Sequence, residues 1–346
     1  MREHYETIII GAGQAGLAMG YYLKKRNQHF LILDNSQSIG DSWRNRYDSL
    51  ILFTSRANSC LPGMKVPGAP DGYPTKDEIA TYLKEYAQHY EIPVKLNTKV
   101  ENLSKSEGIF TIATNTEEAY TANNVVIATG PFQQPAIPSF SNNLSDGVFQ
   151  IHSAYYRNPE QLNSGPTVII GGGNSGMQIA AELSATREVY LSISKRPIFI
   201  PDSLFKKDIF WWFKSIGILN VSVNSRLGKF LRERDPIIGL ETQKLIRSGN
   251  ITLLPRTISA KADKLLFENN EGIETANIIW ATGYRSDYNW IKLPHIFDNK
   301  GQPIHKRGVT EEKGLYFLGL PWQHRRGSAL LLGVGDDAAY LAKEID

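Results

Sequence analysis

Cysteine is the scarcest reactive residue type in this chain, which has one cysteine, Cys60, among 346 residues. A single thiol excludes an intramolecular disulfide and a cysteine-rich metal centre. The excess of one charge sign is also small, because 38 Lys and Arg oppose 35 Asp and Glu and leave a net charge of +3. The sequence has no long basic run and no apolar run of membrane-spanning length. These absences predict no metal, no nucleic acid and no membrane among the partners.

Targeting signals and hydrolase signatures are missing as well. The residues after Met1 enter an apolar strand pattern directly, without the features of a signal or transit peptide. No arrangement suggests a Ser-His-Asp triad or a pair of catalytic carboxylates. The length and the hydrophobic content of 41% suit a globular protein of two domains. We therefore expect a cytoplasmic protein whose chemistry depends on bound cofactors.

Glycine fingerprints of the form G-x-G-x-x-G occur twice, each directly after a run of mostly β-branched residues. They comprise Gly11, Gly13 and Gly16 after residues 7–10, and Gly171, Gly173 and Gly176 after residues 167–170. In this motif the first glycine permits a tight turn, the second lets the backbone approach a pyrophosphate, and the third lets helix and strand pack closely. Two such motifs predict two dinucleotides, hence a flavin beside a nicotinamide. That pairing indicates electron or hydride transfer.

The residues that follow each fingerprint predict which dinucleotide binds where. An acidic residue about 20 positions after the first glycine accepts hydrogen bonds from a ribose with a free 2′-hydroxyl. Asp34 stands there in the first half. At the same spacing the second half has Ser194, followed by Lys195 and Arg196, which could neutralise a 2′-phosphate. We therefore assign FAD to the first site and NADPH to the second, and the sequence also leaves NADH open.

Both halves of the chain end in the same way, with an apolar strand that runs into an Ala-Thr-Gly turn at 128–130 and at 281–283. We predict an α/β fold with two Rossmann-like dinucleotide-binding domains, the NADPH domain being inserted in the FAD domain. The predicted FAD-binding domain covers 1–155 and 286–346. The predicted NADPH-binding domain covers 156–285.

Several short segments match one family of flavoproteins. They are Gly-Asp-Ser-Trp-Arg at 40–44, Tyr-Pro-Thr-Lys at 73–76, Ala-Thr-Gly-Pro-Phe at 128–132, His-Ser-Ala-Tyr-Tyr at 152–156, Trp-Ala-Thr-Gly-Tyr at 280–284 and Gly-Leu-Tyr-Phe-Leu-Gly-Leu at 314–320. In these segments the chain resembles the flavin-containing monooxygenases, in the short bacterial branch related to plant YUCCA-type and CzcO-like oxidoreductases. The resemblance covers nearly the whole chain.

The resemblance implies a reaction. NADPH would reduce FAD, and the reduced flavin would take up O2 as a C4a-hydroperoxide. A small soft nucleophile, such as a sulfide or an amine, or a ketone would then receive one oxygen atom. The flavin carries this chemistry, so no side chain need act as a nucleophile. The predicted partners are accordingly a small-molecule substrate and O2, and a homodimer is the commonest oligomer should the chain associate.

The predicted cofactor sites extend beyond the glycines. The FAD set comprises Gly11, Gly13, Gln14, Ala15, Gly16, Asp34, Gln37, Trp43, Arg44, Val100, Ala128 and Gly130. The NADPH set comprises Gly171, Gly173, Asn174, Ser175, Gly176, Ser194, Lys195, Arg196 and Thr282. The turn residues enter both sets because open α/β sheets bind ligands at the carboxyl ends of their strands. Irregular loops at 50–70, 200–240 and 320–332 are predicted to supply the substrate pocket.

Two residues are candidates for a direct part in the chemistry, and each has an alternative role. His152 could act as an acid or base, or as a structural hydrogen-bonding residue; the resemblance implies that it coordinates the two domains. Ser55 lies near the position at which some family members carry an asparagine that contacts the flavin. The Phe and Gly that precede the histidine in the family are replaced here by Asp146 and Val148.

These departures keep a second function open, that of an NADPH oxidase or a flavin-dependent reductase that donates electrons to O2 or to another acceptor. A pocket that admits water would release peroxide instead of oxygenating a substrate. A disulfide reductase is a further alternative, but it needs a second sulfur to resolve the mixed disulfide. A redox sensor that binds NADPH without turnover is the last alternative, because fold alone does not decide function.

Overall fold

Two β-sheets with parallel cores organise the structure, a computed structural model that describes residues 3–205, 207–233 and 236–345. The elements of the first part are β1 (Glu3–Ile10), α1 (Gln14–Lys25), β2 (Phe30–Leu33), α2 (Asp41–Arg44), α3 (Lys76–His89), β3 (Val94–Lys95), β4 (Val100–Ser106), β5 (Ile109–Thr114) and β6 (Ala119–Ile127). They are followed by β7 (Gln134–Pro135), β8 (Phe149–His152), β9 (Thr167–Ile170), α4 (Asn174–Leu183) and β10 (Val189–Ser192).

The remaining elements begin with a run of short pieces. They are β11 (Phe199–Ile200), β12 (Ser203–Leu204), β13 (Lys207–Asp208), α5 (Ile209–Ser215), α6 (Arg226–Glu233), β14 (Ile237–Ile238) and α7 (Glu241–Arg247). Then come β15 (Ile251–Leu254), β16 (Thr257–Lys261), β17 (Lys264–Phe267), β18 (Gly272–Glu274), β19 (Asn277–Trp280), β20 (Tyr284–Arg285), β21 (Leu315–Phe317) and α8 (Leu331–Glu344).

The first sheet has the strand order β3-β2-β1-β6-β5-β4, and β21 also pairs with β6. Strands β1, β2, β6 and β21 are parallel, whereas β4 and β5 form an antiparallel extension. The run Thr7–Ile10 is buried on both faces, which is what a continuous apolar strand in a parallel sheet requires. We call this sheet with its helices the first unit.

The second sheet has the order β15-β10-β9-β19-β8, with all strands parallel. We call it with its helices the second unit. Because β21 joins the first sheet only after the second sheet is complete, the second unit is inserted in the first. The predicted α/β fold with two Rossmann-like units is confirmed.

Strand β8 belongs to the second sheet, although the predicted domain boundary assigned it to the FAD-binding domain. The prediction ended the first part of the FAD-binding domain at residue 155, but β8 pairs with β19 in the second sheet, with Phe149 opposite Asn277. By sheet membership the chain therefore leaves the first unit between β6 and β8. The proline-rich connector gave no local signal for this pairing, since β8 contacts a strand more than a hundred residues away.

The chain crosses between the two units twice, and the two crossings lie side by side. After the first Ala-Thr-Gly turn comes β7, and after the second comes β20. They pair antiparallel, with Tyr284 opposite Pro135 and Arg285 opposite Gln134. This double linker, defined as β7 and β20, follows the carboxyl ends of β6 and β19 and joins the two units.

Candidate cofactor and active site

The first glycine turn leaves open space at one glycine only. A Cβ at Gly11, whose φ is +110°, would lie 2.6 Å from the carbonyl oxygen of Ala128. A Cβ at Gly16 would overlap the carbonyl oxygen of Gly11. At Gly13, by contrast, a Cβ would meet no heavy atom within 4 Å. The protein itself therefore requires the first and third glycines, while the second faces space that a ligand could fill.

The second glycine turn repeats this pattern. Gly171 has a φ of +127°, and a Cβ there would overlap the carbonyl oxygen of Ala281. A Cβ at Gly176 would overlap the carbonyl oxygen of Gly171, and one at Gly173 would meet nothing within 4 Å. The glycine turns at 11–16 and 171–176 are therefore equivalent, and we call them the first and the second cradle. Each lies next to the strand end that carries Ala-Thr-Gly.

The helices that leave these cradles have uncapped N-termini. Gly13 is the N-cap of α1 and Gly173 that of α4, and neither supplies a side-chain cap. Neither helix has an acidic residue in its first turn. The unpaired N–H groups and the helix dipole favour an anion at both positions. Both cradles therefore fit a pyrophosphate.

Asp34 lies directly beside the first cradle. Its Oδ2 accepts a hydrogen bond from the backbone N–H of Ala12 at 2.5 Å, and its Oδ1 accepts one from Ser36 at 2.7 Å. The carboxylate is half-buried and retains lone pairs for a further donor. A ribose hydroxyl is such a donor, so the position agrees with the predicted role.

The residue equivalent to Asp34 in the second unit is Ile193, one position before the predicted Ser194. Ile10 pairs with Leu33 in the first sheet, and Ile170 pairs with Ser192 in the second, so Asp34 and Ile193 each follow the paired residue. The segment from the first glycine of the fingerprint to the end of the following strand is thus one residue shorter in the second unit than in the first. No carboxylate occupies the equivalent position, as the sequence argument required.

Ser194, Lys195 and Arg196 follow on the exposed surface. Neither cation has an ion-pair partner within 4.0 Å in the part of the chain that the structure describes. Asn174 and Ser175 occupy the first turn of α4. Thr282 donates to the carbonyl oxygen of Ala136 at 2.5 Å and so ties the second cradle to the double linker.

Gln14 connects the first cradle to two other segments. Its Nε2 donates to the carbonyl oxygen of Ala329 at 3.2 Å, and its Oε1 accepts from Trp43 Nε1 at 3.2 Å. Ala15 approaches the chain at Gly319, where a Cβ would lie 2.8 Å from that of Ala15. The N-terminus of α1, the loop around Trp43 and the segment before α8 therefore converge.

The other predicted FAD residues lie in different surroundings and not in one group. Arg44 pairs with Asp41 at 2.5 Å within α2. Val100 is buried in the apolar core of the first sheet, and Gln37 is exposed. Gly130, with a φ of +69°, has open space around its Cβ position, like Gly13.

His152 is buried, with 1% of its surface exposed, and both of its ring nitrogens have backbone partners. Nε2 lies 3.0 Å from the carbonyl oxygen of Gly283, and Nδ1 accepts from the N–H of Ala154 at 3.0 Å. This pairing requires the proton on Nε2. Burial lowers the pKa of His152 below its usual value, so the ring is neutral at pH 7.

An aromatic cluster surrounds this histidine at the double linker. Tyr284 packs edge-on against His152 at 5.2 Å and against Phe132 at 5.0 Å. Arg46, from the first unit, lies over Phe132 at 4.4 Å and donates to the hydroxyl of Tyr284 at 3.0 Å. His152 thus touches the linker and not open solvent, which agrees with a positioning role between the units.

The histidine predicts a pH dependence of stability. Because the pKa of His152 is lower in the folded state, the unfolded chain binds its proton more tightly, and stability falls as the pH drops below about 6.5. Burial shifts the pKa of His305 and His324 the same way. We expect urea denaturation to give a lower free energy of unfolding at pH 5.5 than at pH 7.5, and a smaller difference in His152→Gln.

The exposed His89 supplies a matched control for this experiment. His89→Gln should leave the pH difference as large as in the unmodified protein. An unchanged pH difference in His152→Gln would show that this ring does not stay neutral on folding.

Ser55 lies at a contact between the two units. Its backbone N–H donates to Asp208 Oδ2 at 2.7 Å, and Asp208 Oδ1 caps α5 through the N–H of Phe210 at 2.5 Å. The hydroxyl of Ser55 accepts from Asn58 Nδ2 at 3.2 Å. Ser55 is buried, so its backbone joins the units while its side chain is held by a neighbouring amide.

An apolar cluster continues from this contact, and we call it the apolar junction. It consists of Phe53, Ile200, Ile209, Phe210, Phe213, Leu219, Ile238, Leu330 and Leu332. These residues come from the three loops that were predicted to supply a substrate pocket. Arg326 lies over the rings of Phe210 and Phe213 at 5.5 and 5.9 Å. The junction adjoins Ala329, which Gln14 holds beside the first cradle.

The described residues contain no group of three or more His, Cys, Asp or Glu side chains that could hold a metal ion. Nor does any helix among them have the length and apolarity needed to cross a membrane.

The two glycine cradles lie in units that the double linker joins, and comparison with known proteins assigns the chain to a family. Residues 8–216 match the family described as pyridine nucleotide-disulphide oxidoreductase. The chain belongs to that family. A CzcO-like oxidoreductase of Geobacillus kaustophilus is 55% identical over 346 residues, which cover 100% of this chain and 99% of that protein. The protein is therefore an oxidoreductase, as the sequence predicted.

The monooxygenase resemblance of this oxidoreductase is confirmed by two further comparisons. The probable indole-3-pyruvate monooxygenase YUCCA1 of Arabidopsis thaliana is 28% identical over 375 residues, covering 98% of this chain and 89% of the plant protein. A flavin-containing monooxygenase from Stenotrophomonas maltophilia superposes with a TM-score of 0.84 at 26% identity, covering 99% of this chain and 98% of that one. The oxidoreductase has the flavin-monooxygenase fold.

Sequence reasoning missed the residues that join the two units. Asp208 and Arg46 carry no motif, and their partners Ser55 and Tyr284 lie far away in sequence. Two signals were available: Tyr284 stands in a matched segment, and Ser55 was already a candidate residue. Contacts of this kind depend on how the units dock, which a local pattern does not encode.

Proposed function

We propose that this oxidoreductase is an FAD-dependent, NADPH-consuming monooxygenase. It inserts one oxygen atom from O2 into a small soft nucleophile, a sulfide or an amine, or into a ketone. The observation that carries the proposal is the pair of cradles, in which the second glycine of each fingerprint faces open space at an uncapped helix N-terminus. The monooxygenase relatives support the same reaction class.

Each unit has a defined task in this proposal. The first unit holds FAD at Gly11, Gly13 and Gly16, with Asp34 on the adenosine ribose. The second holds NADPH at Gly171, Gly173 and Gly176, with Lys195 and Arg196 beside the 2′-phosphate. When bound, these cofactors supply hydride transfer and oxygen activation. The domain limits follow the sequence prediction, except that β8 is grouped with the second unit.

The chain's own residues have to exclude water and keep protons away. The apolar junction suits this task, because side chains from both units close it and Phe210 is fully buried there. A dry site suppresses the release of peroxide that water would promote. The same apolar surroundings favour a small and poorly solvated substrate.

The single cysteine argues against disulfide reduction, for which the family is named. Cys60 Sγ donates to the carbonyl oxygen of Arg56 at 3.1 Å and accepts from the N–H of Val66 at 3.4 Å. A dithiol exchange needs an attacking and a resolving sulfur. The chain has no second cysteine, so we place the electrons on O2 instead.

Rapid oxidation of the reduced protein tests the proposal. The purified flavoprotein is reduced anaerobically with NADPH and mixed with oxygenated buffer, and full spectra are recorded. We expect a transient species whose spectrum differs from those of oxidised and reduced flavin, and faster decay of that species with an accepted sulfide, amine or ketone. Direct return to oxidised flavin with stoichiometric peroxide, with or without substrates, would instead assign an NADPH oxidase. No reduction by NADPH would contradict both functions.

A further inference from the structure

One segment of the second unit exposes large apolar side chains to solvent. Between residues 195 and 240 the exposed fraction is 81% for Phe205, 64% for Ile216, 50% for Leu227 and 44% for Trp211. Isolated exposed apolar residues are common, but a concentration of them in one segment marks an interaction surface. We call Phe205 together with the exposed faces of α5 and α6 the exposed patch.

The fold holds the aromatic part of this patch in place. Trp211 packs edge-on against Trp212 at 4.9 Å, and Trp212 packs against Phe205 at 6.3 Å. Trp212 Nε1 also donates to the carbonyl oxygen of Leu204 at 3.0 Å. On the opposite face of α5, Phe210 is fully buried in the apolar junction. The helix therefore presents Trp211 outward because its other face is anchored.

The same segment concentrates positive charge. Residues 195–240 contain nine Lys and Arg against four Asp and Glu, a net charge of +5, whereas the whole chain carries +3 and the remainder is therefore net negative. The described cations in β13, α5 and α6 are Lys207, Lys214, Arg226, Lys229 and Arg232, all exposed.

These five cations are available to an external partner. Within the described ranges of the chain, none of them lies within 4.0 Å of a carboxylate. Lys207 lies over the ring of Trp211, 5.7 Å from its centroid. In α6, Arg226 and Lys229 alternate with the exposed Leu227. Cations and exposed apolar side chains are therefore neighbours at Lys207 and Trp211 and along α6.

We propose that the exposed patch binds the protein to an anionic membrane surface. Aromatic and aliphatic side chains flanked by Lys and Arg are what an interfacial helix presents to lipid headgroups. Charge complementarity selects the partner, because a second copy would bring one positive patch against another, whereas anionic headgroups would neutralise it. The sequence predicted no membrane partner because it lacks a spanning segment, but surface binding needs none.

Sedimentation with vesicles tests this inference with the FAD-loaded protein, independently of any activity. We expect binding to phosphatidylcholine vesicles that contain phosphatidylglycerol, little binding to phosphatidylcholine alone, and release at high salt. The triple variant Lys207→Gln, Lys214→Gln, Lys229→Gln should bind about 100-fold more weakly, since each basic residue at an anionic surface contributes about fivefold. Phe205→Ser with Trp211→Ser should weaken binding at least about tenfold.

Matched variants elsewhere on the surface provide the controls. Lys65→Gln, Lys84→Gln and Lys261→Gln remove three exposed cations, and Ile137→Ser with Ile304→Ser removes two exposed apolar side chains. Both control variants should bind anionic vesicles like the unmodified protein. Equal loss in the controls, equal binding to neutral vesicles, or no binding at low salt would overturn the proposal. So would a dimer in sedimentation velocity that Phe205→Ser with Trp211→Ser converts to a monomer, because the patch would then join two copies.

Discussion

Gly13→Val should fold and purify without FAD, so the protein should be colourless. A Cβ at this position meets no heavy atom within 4 Å, and its φ of −74° is open to any residue, so the polypeptide can accommodate valine. The added methyl groups would occupy the space that a pyrophosphate needs. We expect the flavin content per protein, read from the visible absorbance, to fall at least about tenfold, a loss of about 1.4 kcal/mol or more in binding.

Two further glycine variants make this result specific. Gly173→Val changes the equivalent position of the second unit, so it should keep its FAD but should not be reduced by NADPH. Gly16→Val places a Cβ onto the carbonyl oxygen of Gly11 and should destabilise the fold itself. A yellow Gly13→Val protein with a normal far-ultraviolet spectrum would contradict the placement of FAD in the first unit.

The parts of the fold that could be predicted are those encoded by local pattern. The strands at 7–10 and 167–170 and the helices that begin at Gln14 and Asn174 follow from a β-branched run and a glycine turn. Helix α3 begins after Thr75, which forms a capping box with Glu78 in which both reciprocal hydrogen bonds are present, and this spacing is visible in the sequence.

The loop at 200–240 contains regular elements that were not predicted from the sequence. It was predicted as irregular, yet it contains α5 and α6. Both helices are short, with seven and eight residues, so a helical period is hard to recognise in them from sequence alone.

The candidate site likewise contains residues that local pattern predicted and residues that it did not predict. Motif spacing predicted both glycine cradles and the carboxylate of Asp34. It placed the second ribose position at Ser194, but strand pairing places Ile193 there, since spacing alone does not reveal a connection that is one residue shorter. The contact of Ser55 with Asp208 and that of Arg46 with Tyr284 arise only when the units dock.

Arg196→Ala should weaken NADPH far more than NADH. Arg196 is exposed just after the end of β10, and no carboxylate among the described residues neutralises it. In the proposed site its guanidinium faces the 2′-phosphate that NADH lacks, and a charge-assisted hydrogen bond contributes about 1.5–3 kcal/mol. We therefore expect the KM for NADPH to rise about 10- to 100-fold in steady-state flavin reduction, with the KM for NADH changed less than about twofold.

Arg247→Ala is the matched control, because Arg247 is an exposed arginine at the end of α7 in the same unit. Its removal changes the net charge equally and should leave both KM values unchanged. The comparison separates a specific phosphate contact from a general loss of attraction for an anionic cofactor, which would affect both nucleotides. Equal effects of Arg196→Ala on NADPH and NADH would remove the basis for NADPH in the second unit. The neutral Ile193, which occupies the position equivalent to Asp34, disfavours neither nucleotide by charge.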